Sequence, residues 1–222
     1  IFKSIWLFEE VQVPGSNNQI DLNITIKEKQ SGSFSVGAGF GGDGVALDVG
    51  ISQDNFLGFG SKVAFNINTA KTTTAYGFSF YNPYHNLDSV SRSFGFNLQE
   101  TNTDNSDKQS SFESDRMMLD YNYGIPLTEN NRFNLTLKYL GWDVRTTTNS
   151  PTEIINFIAA NGDTFQNFSF LIDYSIDTRD RASFTRSGFK TTLGTEVMIP
   201  GSDLEYYKIY FRTESFYEIN KE

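Results

Sequence analysis

The chain has no cysteine and a single histidine, His85. Disulfides and thiolate metal sites are excluded, and His85 has no second histidine for a metal pair or a catalytic relay. The absence of cysteine leaves the redox compartment open. There are only five prolines. No apolar run approaches the roughly 20 residues of a membrane-crossing helix. Lys/Arg runs are also missing, and the formal net charge is −9, which argues against a nucleic-acid partner. The chain opens at Ile1 without an initiator Met or a leader; it is expected to be a piece of a longer protein.

What is abundant points elsewhere. Mean hydropathy is −0.40, as for a soluble protein, yet aromatics make up 15% of the chain, with 21 Phe and 11 Tyr. Many aromatics with plentiful Gly, Asn, Ser and Thr suit an all-β protein. They also suit a transmembrane β-barrel, whose lipid face is hidden from hydropathy windows by alternation.

Alternation is what the chain shows. Phe34, Val36, Ala38 and Phe40 interleave with Ser33, Ser35, Gly37 and Gly39. The same period recurs through Val45–Ile51, Val63–Ile67, Tyr76–Phe80, Phe94–Leu98, Met117–Ile125, Phe133–Tyr139, Phe168–Ile176, Phe189–Ile199 and Ile209–Phe211. This predicts about ten strands, most near the ~9–11 residues of a membrane strand. The opposite face is polar and includes Asp48, Lys62, Asn66, Asn97, Asp120, Asn122, Asn134, Lys138, Asp173, Lys190, Glu196, Lys208, Arg212 and Glu214. Connectors fall into two sets. Residues 54–60, 82–89, 126–131 and 180–188 are compact turns; 99–115 and 146–167 are long polar loops, joined in their set by 41–44, 69–74 and 200–205. Compact turns at one end and longer loops at the other fit a barrel with short periplasmic and long outer connections. Residues 1–30 differ: two short charged strands are expected, joined at Pro14-Gly15, like the tail of a preceding soluble domain.

The chemical motifs are weak. Gly37, Gly39 and Gly42 spell G-x-G-x-x-G, but a dinucleotide fingerprint needs a following helix, and here Asp43-Gly44 signals a hairpin. The mixed charges of 177–181 suit a salt-bridge network at a strand end, with a docking point as the alternative. Asp104, Asp107, Glu113 and Asp115 could hold a divalent cation only weakly, so no metal is expected. The sequons at Asn23, Asn134 and Asn167 lie in or beside strands and are discounted. No nucleophile–base pair and no supported carboxylate pair emerges, so neither enzyme activity, catalytic residues nor a cofactor is expected.

Five stretches carry a resemblance: "VPGSNNQIDLNITIKEKQSGSFSVGAGF" (13–40), "QDNFLGFG" (53–60), "NPY" (82–84), "DTRDRASFTRSG" (177–188) and "IPGSDLEYYK" (199–208). In order and spacing the chain resembles the Omp85 family of outer-membrane β-barrel assembly proteins. The opening "IFKSIWL" departs from the family pattern. The resemblance implies that residues 1–30 end the last POTRA domain, a small periplasmic α+β unit. Residues 31–222 would then be the N-terminal portion of a transmembrane antiparallel β-barrel of about sixteen strands. The family's Arg-Gly-Phe loop motif is not within these residues and is expected downstream.

The implied activity is to fold and insert outer-membrane proteins by strand pairing at a lateral gate. The pairing edge would be Ser33, Phe34, Ser35, Val36, Gly37, Ala38, Gly39 and Phe40, acting through the backbone. Implied partners are nascent β-barrel proteins, assembly-machine lipoproteins, outer-membrane lipid and lipopolysaccharide. The missing C-terminal strands or a complementary chain would cover the open edges. Implied placement is the outer membrane of a Gram-negative cell, N-terminal end in the periplasm. A translocation or secretion transporter of the same family, a passive porin-like channel and, more distantly, a soluble carbohydrate-binding β-sandwich are the other readings. Gly37 and Gly39 are candidate weak points in the edge strand, or else make room within the barrel.

Overall fold

The computed structural model describes residues 2–15, 19–28, 31–41, 44–104 and 110–218. Gly42, Asp43 and Asp107 of the motifs above, and Gln30 at the junction, lie outside the described residues.

Two strands, β1 (Phe2–Gln12) and β2 (Ile20–Glu28), pair antiparallel as a separate two-stranded sheet. The expected hairpin is present, but its first strand is longer than expected and takes in most of the opening segment. The remaining strands form one ten-stranded sheet. In chain order these are β3 (Gly32–Gly41), β4 (Gly44–Phe56), β5 (Ser61–Thr69), β6 (Thr73–Asn82), β7 (Ser91–Asn102), β8 (Glu113–Pro126), β9 (Asn131–Arg145), β10 (Thr164–Asp177), β11 (Gly188–Met198) and β12 (Tyr207–Phe216). Each pairs antiparallel with its sequence neighbour, so the sheet is an up-and-down meander with β3 and β12 at its edges. Long connections were expected at 99–115 and 146–167. The first narrows, because β7 runs on to Asn102 and β8 starts at Glu113. The second contains a helix, α1 (Thr152–Asn161), and gives its last residues to β10.

The sheet inverts the usual pattern of burial. Among the described residues only Val90, Val144, Phe165 and Met198 are buried hydrophobics. Phe34, Phe40, Leu47, Ile51, Phe65, Phe94, Leu137, Phe168, Leu193, Ile209 and Phe211 are exposed, and all share one face by strand parity. Aromatic contacts run across this face: Phe78 and Phe94 centroids are 6.4 Å apart, and Tyr139 and Phe168 are 4.9 Å apart. A sandwich would cover such a face with a second sheet; here it is bare, as on a barrel that meets lipid.

The inner face is built from polar side chains laid over glycines. In register, Asn66 opposes Gly77, Asp120 opposes Gly95, Asn134 opposes Gly124 and Asp173 opposes Gly194. A Cβ at any of these glycines would collide with the opposing polar side chain. Glycine here lets a neighbour's polar group lie flat along the inner wall. One patch breaks the polar pattern. Trp142 and Phe165 point inward at the loop end, with centroids 5.5 Å apart. Phe157 of α1 packs on Phe165 at 5.6 Å, and the Arg116 guanidinium lies 5.0 Å from the Trp142 ring. Thus α1 folds onto the inner face of the sheet at its loop end. Its neighbouring loops are tied by hydroxyls: Ser111 Oγ donates to Asp104 at 2.6 Å, and Ser150 Oγ donates to the Ser111 carbonyl at 2.7 Å. The Ser111 hydroxyl is the main cause holding the Asp104 carboxyl below its ordinary range.

Candidate pairing edge

β3 pairs with β4 from Gly32↔Gln53 to Gly41↔Gly44 without a bulge. The Asp54 N–H donates to the Ser31 carbonyl at 2.8 Å. That bond fixes the phase of the ladder, because an antiparallel pair alternates between residues that exchange hydrogen bonds and residues that do not. Odd residues of β3 therefore bond β4. The even ones, Gly32, Phe34, Val36, Ala38 and Phe40, turn their N–H and C=O to the open edge. The sequence-based edge of Ser33 to Phe40 is thus divided: Phe34, Val36, Ala38 and Phe40 offer backbone groups, while Ser33, Ser35, Gly37 and Gly39 hold β3 to β4. The residues with free backbone groups are also those whose side chains face outward, with Phe34 68% and Phe40 88% exposed.

β12 is built alike. The Met198 N–H donates to the Tyr206 carbonyl at 3.1 Å. By the same alternation, Tyr207, Ile209, Phe211, Thr213 and Ser215 face the other open edge. The two edges differ on their inner sides. Beside β12, Glu196 is 3% exposed, pairs with Lys138, and accepts from Ser169 at 2.9 Å. Lys208 lies 4.0 Å from Glu196, and the Tyr210 hydroxyl donates to Asp173 across Gly194. β3 has a Ser33–Ser52 hydroxyl bond at 2.7 Å and a longer bond, 3.4 Å, from Ser35 to the Gly50 carbonyl. A Cβ at Gly37 would meet only Asp48 Cβ at 3.7 Å, and one at Gly39 would meet nothing within 4 Å. These glycines, unlike those of the inner wall, are not required by a close neighbour.

The other motif residues have local roles. Gly37 and Gly39 lie within β3, and β4 rather than a helix follows. Arg179 donates to both Asp177 oxygens at 2.8 and 2.7 Å, and Arg181 donates to Asp180 at 3.0 Å. Asp180 Oδ1 also accepts the Arg186 and Ser187 N–H groups at 3.0 and 3.3 Å. Led by the Arg186 N–H, these bonds pull the Asp180 carboxyl down to about 2. The 177–181 cluster therefore organises its own turn. Glu113 and Asp115 pair with Arg145 at 3.3 and 2.8 Å, while Asp104 serves the loop network. His85 is exposed in the β6–β7 turn, its ring edge-on to Tyr123 at 6.3 Å.

A meander with an apolar outer face, a polar inner face and turn-versus-loop asymmetry is the architecture of an outer-membrane-type β-barrel. The Omp85 superfamily domain matches residues 55–222; the chain belongs to that superfamily. It is 28% identical over 96% of its length to the outer membrane protein assembly factor BamA of Neisseria meningitidis serogroup B, spanning 28% of that protein. It is 34% identical over 40% of its length to BamA of Buchnera aphidicola, spanning 15% of it. Among solved structures, BamA from Haemophilus ducreyi lacking POTRA domains 1–3 matches with a TM-score of 0.78 and 23% identity, over 96% of this chain and 42% of that one.

Proposed function

We propose that this chain is part of an outer-membrane protein assembly factor. Residues 1–30 end its last POTRA domain, residues 31–222 begin its barrel, and β3 is the strand that receives incoming β-barrel proteins. The observation that carries this is the β3 edge. Five residues in one register present paired N–H and C=O groups beside outward apolar side chains. Such an edge in lipid costs several kcal/mol per unpaired group, and a strand of another barrel relieves that cost by β-augmentation. Backbone pairing is indifferent to side-chain identity, which suits a machine with many substrates. The chain works without covalent chemistry, with its N-terminal end in the periplasm. Its further partners are the lipoproteins of the assembly machine and the outer-membrane lipid and lipopolysaccharide around the barrel.

The test is site-specific photocross-linking in the full-length parent protein. A photoreactive residue at Val36 or Ala38 should capture the C-terminal strand of a substrate barrel during its insertion. A control at Leu137, mid-sheet on the outer face, should not. Equal capture at Ala38 and Leu137 would refute the assignment.

A further inference from the structure

Along β7 the outward side chains are Arg92, Phe94, Phe96, Leu98 and Glu100. From Arg92 to Glu100 is about 27 Å along the strand, or about 20 Å of membrane depth at a barrel tilt near 40°. The three apolar residues themselves cover about 13 Å of strand, or about 10 Å of depth, with a cation on their turn side and an anion on their loop side. The Arg92 Nε is shielded from water, and among the described residues it is the only buried side-chain nitrogen or oxygen with no hydrogen-bond partner. Its outward cross-strand neighbours are Asn82 and Tyr123. Asn82 Oδ1 accepts the Tyr84 N–H at 3.0 Å, which leaves the amide NH₂ to donate. The His85 ring stands edge-on to Tyr123, in a turn closed by the His85 backbone N–H donating to the Val90 carbonyl at 2.8 Å. Arg92 thus stands at the boundary of the apolar band with an unused Nε–H, and its outward cross-strand neighbours, Asn82 and Tyr123, both carry donors.

We propose that Arg92, with Asn82, His85 and Tyr123 around it, binds the phosphate of an inner-leaflet glycerophospholipid, whose acyl chains lie against Phe94 and Phe96. A planar guanidinium fits phosphate oxygens in a fork, and a phosphodiester sits at this depth. The assignment to the inner leaflet rests on the barrel orientation proposed above.

The experiment is native mass spectrometry of the full-length parent protein from detergent, with phosphatidylglycerol as the probe. The wild-type barrel should retain the lipid, and Arg92→Gln should lower retention about tenfold, as expected for a lost hydrogen bond between charged groups. His85→Ala, in an exposed turn that tolerates truncation, should lower it to a smaller degree. Heat-modifiable gel mobility verifies that each variant is a folded barrel. Should Arg92→Gln fail that check, His85→Ala and Tyr123→Phe decide the matter. Diacylglycerol, which lacks phosphate, should not compete. Undiminished retention in the folded variants overturns the proposal, as does removal of the bound lipid from wild type by inorganic phosphate at equal concentration, which would assign the site to free phosphate. No readout involves substrate assembly, so a barrel that binds lipid but assembles nothing refutes only the proposed function.

Discussion

Proline at Ala38 and proline at Gly39 should have opposite consequences, although the residues are adjacent and small. The Ala38 N–H points to the open edge, and the Gly39 N–H points to Ala46 of β4. Proline removes the N–H of its own residue and is tolerated in sheets only where that group faces away from the ladder. Ala38→Pro should therefore leave every β3–β4 bond in place, at a cost of about 1 kcal/mol for drawing the extended strand toward proline's φ. Gly39→Pro deletes a ladder bond and strands the Ala46 carbonyl in a non-aqueous setting. That costs about 2–3 kcal/mol, or roughly 30- to 150-fold in the population of paired β3. The ring itself has room, since a Cβ at Gly39 meets nothing within 4 Å. Two assays separate the outcomes: hydrogen exchange of the β3–β4 amides reports the ladder, and substrate folding in proteoliposomes reports the edge. Ala38→Pro should preserve the first and impair the second. Gly39→Pro should lose protection in β3. If both variants behaved alike in both assays, the assignment of even residues to the open edge would be wrong.

Replacing Gly37 and Gly39 together with Val should be accommodated and should firm β3 by about 1–2 kcal/mol; if the seam must open, substrate folding slows, and an unchanged rate sinks the weak-point reading. Gly194→Val is the contrasting case, because its side chain would meet Tyr210 Cζ at 2.5 Å; it should push Tyr210 off Asp173 and lower the temperature of the heat-modifiability transition. The turn after β10 should depend on acid in a shifted window. Asp180 is held near 2 by the Arg186 and Ser187 N–H groups, so its contribution is full above the ordinary aspartate range and lost as pH falls through about 2. The Arg186 amide resonance should titrate with that low midpoint; a midpoint near that of free aspartate would refute the bonding.

The strands were legible because each face has its own chemistry. Ten runs with apolar residues on one parity, aromatic in nine of them, and Asn, Asp, Lys or Gly on the other leave little choice of register or orientation. What escaped was whatever parity does not encode. Which N–H groups of β3 are free depends on the phase of hydrogen bonding with β4, and swapping that phase changes no side-chain face. The helix α1 was absorbed into a polar loop because it is ten residues long and lies between strands. Pro151 before it, Gly162 after it, and Ile154 with Ile158 one turn apart were the available signals. Trp142 and Phe165 were missed as inner aromatics because they sit on the polar parity of their strands, where α1 covers them. Arg92 was visible as a charge opening the apolar parity of β7, but its unbonded Nε belongs to the packing around it.

The two open edges are chemically alike in backbone and unlike in anchorage, and that difference indicates which one changes partners. β12 is tied to the preceding strands through two inner side chains, Tyr210 to Asp173 and Lys208 toward a nearly buried Glu196, and on its outer face Thr213 meets Thr191 at 2.9 Å. β3 has two serine hydroxyl bonds and two glycines in the equivalent places. Neutral cross-strand pairs contribute about 0.2–1 kcal/mol, whereas hydrogen bonds to charged groups contribute about 1.5–3 kcal/mol. A difference of about 2 kcal/mol in local opening corresponds to about 30-fold in exchange rate. The ladder amides of β3 in the full-length parent should therefore exchange about that much faster than those of β12. A strand that must release one neighbour and accept another needs such weak side-chain ties, because every inner bond it made would have to be broken in each cycle. Equal protection of the two strands would remove β3's distinction and leave the receiving edge unassigned.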